Sequence, residues 1–152
     1  MPELPEVEVL VRHLAPLVRG KVIRGVDVRR ERIVRPTGTR ELSLKLRGAK
    51  FVKLQRRGKY LLFTLRAPKQ KAPVTLLGHL GMTGKMYLLP ASAPLPKHAA
   101  VVLDFGRTKF VFEDTRYFGR FTLDLSSIES LGPEPLEKEF TVAAFAKALK
   151  KS

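Results

Sequence analysis

The chain opens with an amphipathic period and then changes to an alternating one. Val7, Leu10, Val11 and Leu14 recur at three- and four-residue spacing, which predicts a helix with one apolar face, and Gly20 predicts its end. Pro5 suits a first helical position, and Glu6 and Glu8 complement the positive helix start. Beyond it, Val22–Val28 and Leu42–Leu46 alternate apolar with polar positions, as half-buried strands do. Phe51–Leu54 and Tyr60–Leu65 follow, and the Gln55-Arg56-Arg57-Gly58-Lys59 join predicts a hairpin whose glycine supplies an unusual backbone angle. Further strands are expected at Val74–Leu80, Lys85–Leu89, Ala99–Phe105, Lys109–Glu113 and Arg120–Leu125, with proline-rich surface loops at Ala67–Pro73 and Pro90–Lys97. About eight or nine short strands separated by turns predict a mainly β fold with flanking helices: an antiparallel two-sheet β-sandwich behind an N-terminal helix.

The pattern changes again near the C-terminus. Ser126–Leu131 reads as a helical turn, and Gly132-Pro133-Glu134-Pro135 breaks the chain. Thr141 then caps a final helix, Val142–Lys150, with Val142, Phe145 and Leu149 on one face. A lone amphipathic helix has no partner of its own to pack on. The expected organisation is therefore a β domain over residues 1–131 and a linker with the first helix of a cut-short helical segment over 132–152.

Composition narrows the function. A chain of 152 residues with 44% hydrophobic content can bury one real core, which excludes a disordered basic tail. Its 29 Lys and Arg against 14 Asp and Glu leave a net charge of +15, which points first to nucleic acid. An anionic membrane is the weaker alternative, because there is neither a basic amphipathic helix with a large apolar face nor an apolar run of about 20 residues. Glu3 and the absence of a following apolar run argue against a signal peptide. The sequence has no cysteine, which removes disulfides and thiolate zinc sites and fits a reducing cytoplasm. His13, His79 and His98 are scattered, so no metal or cofactor is expected in this chain.

Four places carry candidate chemistry. Removal of Met1 leaves Pro2 with a terminal secondary amine, partly unprotonated near neutral pH because α-amino groups titrate at about 8. Such an amine attacks an electrophilic carbon and leaves an iminium, which is covalent catalysis without a cofactor. Retention of Met1 makes the same nitrogen an inert amide. Glu3 and Glu6 stand beside it, although on local pattern alone Pro-Glu pairs are equally good helix starts. Arg56-Arg57-Gly58-Lys59 sets cations around a hairpin glycine, a pattern shared with ordinary solvated turns. His79-Leu80-Gly81-Met82-Thr83-Gly84 brackets a methionine with glycines, as a strand end over a core methionine also does. Asp114-Thr115-Arg116-Tyr117-Phe118-Gly119-Arg120 mixes cations and aromatics in a turn, a frequent means of entering a base stack.

These motifs, together with Leu131-Gly132-Pro133-Glu134-Pro135-Leu136, resemble the bacterial formamidopyrimidine-DNA glycosylases in order and spacing. The resemblance covers the whole chain but only the N-terminal half of such an enzyme. Leu4, where the related endonuclease VIII group tends to carry glycine, favours the oxidised-purine branch. The resemblance implies a monomeric, bifunctional glycosylase and AP lyase of the bacterial cytoplasm and nucleoid. Its partner is damaged double-stranded DNA, from which it removes 8-oxoguanine and formamidopyrimidines before nicking the strand. By that likeness Pro2 attacks the sugar C1′, Glu3 protonates the ring oxygen, Glu6 positions, and Lys59 reaches the damaged nucleotide. Met82, Arg116 and Phe118 match the family's trio that fills the hole left by a flipped base, while Arg57 and His79 meet phosphate. Tyr117 stands where the family often carries another arginine. The family's C-terminal half, with its helix–two-turn–helix and usual zinc finger, has no counterpart here, so this chain alone is expected to bind DNA weakly and turn over little. A non-catalytic basic DNA- or RNA-binding module is the main rival, and an N-terminal-proline enzyme for small carbonyl compounds a third reading.

Overall fold

The computed structural model describes residues 4–68 and 70–129. The expected break at 132–135, the last helix at 142–150 and the boundary at 131 lie outside the described residues. The chain runs α1 (Leu4–Val18), β1 (Gly25–Val28), α2 (Glu31–Val34), α3 (Thr39–Leu46), β2 (Lys50–Arg57), β3 (Tyr60–Arg66), β4 (Val74–His79), β5 (Gly84–Pro90), β6 (Ala99–Asp104), β7 (Thr108–Asp114), β8 (Arg120–Thr122) and α4 (Ser126–Glu129). The strands form two antiparallel sheets, ordered β1-β6-β7-β5 and β2-β3-β4-β8. A mainly β, two-sheet sandwich behind an N-terminal helix is thus the observed architecture.

Between the sheets lies an aromatic core. Phe63 meets Phe51, Phe110 and Phe121 edge-on at centroid distances of 5.7, 5.9 and 5.8 Å, and Phe110 stacks on Phe121 at 5.6 Å. Such pairs add about 0.5–1.5 kcal/mol each beyond the area they bury. The α1 positions Val7, Val11, Leu14 and Val18 are buried in the same cluster. The helical spacing therefore marked the face that docks on the sheet. Two bulges set which side chains face inward. In β2 the register shifts between Phe51 and Lys53, so Val52 is left 40% exposed while Phe51 and Leu54 both reach the core. A shift between Ala99 and Val101 likewise turns Ala100 and Val101 inward together.

Four expectations need correction, the briefest being that the strand expected over Arg120–Leu125 ends at Thr122. Residues 42–46 are not a strand but the end of α3. Leu42 and Leu46 are fully buried one helical turn apart and Leu44 is 71% exposed, a division a strand cannot make because all three would share one face. The strand expected over Val22–Val28 shrinks to β1; Val22 makes only an isolated bridge to Lys50, and it is Ile23 that is buried. The hairpin loop is shorter than expected. Arg57 pairs with Tyr60, leaving only Gly58 and Lys59 in the turn, with Gly58 at a φ of 61°.

Candidate nucleic-acid interface

One end of the second sheet gathers most of the candidate residues. The register lines up Arg57, Tyr60, His79 and Arg120 in a single row across β2, β3, β4 and β8. Lys59 stands in the turn beside this row. The loop after His79 and the loop before Arg120 rise from the same end, so strand pairing alone brings together motifs about 60 residues apart in sequence.

His79 has a defined state. The Gly81 backbone N–H donates to its Nδ1 at 3.2 Å, which places the proton of the neutral ring on Nε2. Its ring lies 5.0 Å from that of Tyr60. Burial, reinforced by the charges of Lys59 and Arg120, holds the imidazole below its ordinary 6.5. In the unfolded chain the ring gains its proton near 6.5, whereas the folded ring resists to lower pH. Between those values the unfolded state binds more protons, so stability falls as pH falls. The contribution is fully present above the unfolded value. Thermal melts at about pH 7.5 and about pH 5.5 are expected to show wild type losing more stability than His79→Gln on acidification. Equal losses would contradict this state of the ring.

The two loops are held by Asp114. Its side chain is fully buried: Oδ1 accepts from the Thr83 hydroxyl at 2.6 Å and the Arg116 N–H at 3.1 Å, and Oδ2 accepts from the Gly119 N–H at 2.8 Å. One carboxylate at the end of β7 therefore ties both loops. The loops also touch backbone to backbone. Gly81 has a φ of 62°, and a Cβ there would lie 2.8 Å from the Gly119 nitrogen and the Phe118 carbonyl carbon, so glycine is required twice over.

On this frame the expected trio assembles. The Arg116 guanidinium lies 5.1 Å from the Phe118 ring centroid, and its Nη1 is 3.8 Å from the Met82 sulfur. Met82 is 49% and Phe118 40% exposed, which leaves an apolar tip and a cation projecting from a rigid base. Tyr117 does not join them. It adopts a φ of 56°, its hydroxyl lies 3.3 Å from His98 Nδ1, and the Arg30 guanidinium sits 5.0 Å from its ring centroid. Arg57, expected to meet phosphate, is only 2% exposed.

The head of α1 is fastened to the same region. Glu8 Oε1 accepts from Arg56 Nε at 3.0 Å, and Glu8 Oε2 pairs with Arg12 at 3.3 Å. Leu4, where the described chain begins, is about 6 Å along the helix axis from Glu8. Glu6 is exposed in the first turn; Pro2 and Glu3 lie outside the described residues. Sequence reasoning missed Glu8 and Arg56 as a clamp, Asp114 as the loop organiser, and Arg30 and Arg32 as ring partners. Only Asp114 had a local signal, an acid two residues before the amide it binds. Among the described residues no cluster of three or more metal-ligating side chains occurs, and no helix is long and apolar enough to cross a membrane.

Comparison with known proteins agrees with this arrangement. Residues 1–121 match the family model of the formamidopyrimidine-DNA glycosylase N-terminal domain. The chain is 43% identical over 152 residues to a formamidopyrimidine-DNA glycosylase of Carboxydothermus hydrogenoformans, covering all of this chain and 55% of that protein. A Ligilactobacillus salivarius protein of the same name is 38% identical, with 99% and 55% covered. Among solved structures, the Lactococcus lactis Fpg in complex with abasic-site DNA superposes with a TM-score of 0.77 at 32% identity, over 88% of this chain and 51% of that one. The same enzyme with DNA containing Fapy-dG gives 0.76. The chain spans about half the length of the curated relatives it matches. By its motifs, its sandwich and its matched residues, the chain belongs to the formamidopyrimidine-DNA glycosylase family, within that family's N-terminal domain.

Proposed function

We propose that this chain is the catalytic domain of a base-excision enzyme that removes oxidised purines, 8-oxoguanine and formamidopyrimidines, from duplex DNA and then cleaves the strand as an AP lyase. The observation that carries the reading is the exposed group of Met82, Arg116 and Phe118, held by Asp114 at the sheet end that also carries Lys59 and His79. A base must leave the stack to be excised, and the gap costs a few kcal/mol unless side chains fill it. A flexible thioether, a planar cation and an aromatic ring are suited to that task. Lys59 offers a mobile point charge to a phosphate or base oxygen, and His79 Nε2–H offers a neutral donor.

The covalent step falls to Pro2. Its amine forms a bond to C1′ as the glycosidic bond breaks, and the base leaves with that electron pair and the proton the amine sheds. Glu3 protonates the ring oxygen, which opens the sugar and leaves an iminium at C1′. The iminium acidifies the adjacent C2′ position, so the 3′ and then the 5′ phosphate are eliminated. The net charge of +15 supplies the attraction to the backbone.

Borohydride trapping by the full-length protein on abasic-site DNA tests this directly. The expected result is a covalent adduct mapped to Pro2 and abolished in Pro2→Gly and when Met1 is retained. No adduct would favour the non-catalytic basic module, and an adduct on an internal lysine would overturn the assigned nucleophile.

A further inference from the structure

The segment from β1 to α3 has no role in the chemistry above, yet it stands against the loop that carries it. Arg30 and Arg32 lie on consecutive sides of Glu31 and each meets a ring of the 116–118 loop: Arg30 that of Tyr117 at 5.0 Å, Arg32 that of Phe118 at 5.3 Å. Both arginines are exposed. Their backbone is not loose. Ile33 and Val34 of α2 are buried at 0% and 1%, and the Arg29 and Arg30 amides donate to the Ala100 carbonyl at 2.8 and 3.2 Å. Thr37 exchanges a hydroxyl hydrogen bond with Thr122 at 2.8 Å and accepts from the Leu123 N–H at 3.0 Å. A rigid arm thus presents Arg32 to an exposed aromatic tip.

We propose that Arg32 is a positioning residue for Phe118, holding the ring in its aim toward the duplex and transferring its guanidinium to a backbone phosphate when the ring enters the stack. The inference rests on the wedge role assigned to Phe118 above. An exposed cation–ring contact is weak, so it orients the ring without locking it. Once the ring is among bases the guanidinium loses that partner and faces a polyanion, where its planar fork matches phosphate bidentately. Nearby, Arg35, also exposed, follows on the same segment and extends the cationic edge.

The test uses full-length protein and a lesion duplex with 2-aminopurine beside the lesion, whose fluorescence rises when the ring unstacks it. Arg32→Gln is expected to lower the salt slope of binding by about one unit. That makes binding about eightfold weaker at roughly 0.1 M than wild type when the two curves converge near 1 M salt. It is also expected to reduce the fluorescence rise. Arg32→Lys restores the slope, because a point charge still meets phosphate, but recovers less of the fluorescence. A merely structural role would change the melting temperature and leave the salt slope alone. Phe118→Ala in the same assay separates the failures. Loss of the signal in Phe118→Ala with an unaltered slope and signal in Arg32→Gln would overturn the role of Arg32 alone. An unaltered signal in Phe118→Ala would overturn the wedge, and this inference with it.

Discussion

Asp114→Ala is expected to lower the stability of the domain by about 3–5 kcal/mol and to weaken lesion binding more than removal of any one surface cation. The carboxylate accepts three hydrogen bonds from a fully buried position, and hydrogen bonds to a charged acceptor contribute about 1.5–3 kcal/mol each. Truncation leaves the Gly119 N–H without its acceptor in a place where a Cβ on residue 119 would already touch the His79 carbonyl oxygen at 2.7 Å. The consequence reaches function because Oδ1 holds the Thr83 side of one loop and the Arg116 amide of the other. Met82, Arg116 and Phe118 then lose a common base. Asp114→Asn separates geometry from charge. Its amide keeps one oxygen for Thr83 and Arg116 but turns an NH2 toward the Gly119 N–H, so an intermediate loss of about 2 kcal/mol is expected. Urea unfolding and binding to lesion DNA measure the two effects. Wild-type stability in Asp114→Ala would show that the loops are held otherwise.

The sequence made legible the elements whose packing is local and one-sided. α1 buried the positions its spacing marked, and β3, β4, β6 and β7 fell close to their expected spans. α3 misled because Leu42, Leu44 and Leu46 alternate perfectly. What decided the matter was tertiary packing, which buried Leu42 and Leu46 and left Leu44 in solvent. α2 is four residues long, too short for any period to declare itself. The site divides the same way. Met82, Arg116 and Phe118 were visible through a family resemblance, and their mutual contact followed from two loops sharing one sheet end. The clamp of Glu8 on Arg56 spans 48 positions, and Arg32 meets Phe118 across 86, so neither has a spacing to betray it. Arg57 shows the opposite failure. A cation beside a hairpin glycine suggested exposure, but β2 runs three residues further than expected, through Arg57, which is buried.

Glu3→Gln in the full-length protein is expected to slow base excision by about 10²–10⁴-fold while leaving covalent trapping on a pre-formed abasic site largely intact. The two substrates ask different things of the same residue. With an intact nucleoside the ring oxygen must take a proton for the sugar to open, and glutamine has none to give at the required acidity. An abasic site already interconverts with its open aldehyde, which the Pro2 amine meets without that assistance. The lysines and arginines available to phosphate and the exposed wedge are unchanged in the variant, so the salt slope of lesion binding should match wild type. Single-turnover excision, borohydride trapping and salt-titrated binding together distinguish a lost acid from a lost fold. Pro2→Gly provides the complementary pattern, with trapping lost along with excision, since a primary amine gives a neutral imine that must gain a proton to carry the charge proline's iminium holds permanently. Normal excision by Glu3→Gln would remove Glu3 from the chemistry and shift the search for the acid to Glu6, exposed in the first turn of α1. Loss of trapping in step with excision would instead mean that Glu3 supports the nucleophile itself, for instance by taking the proton that the Pro2 amine must shed before it can attack.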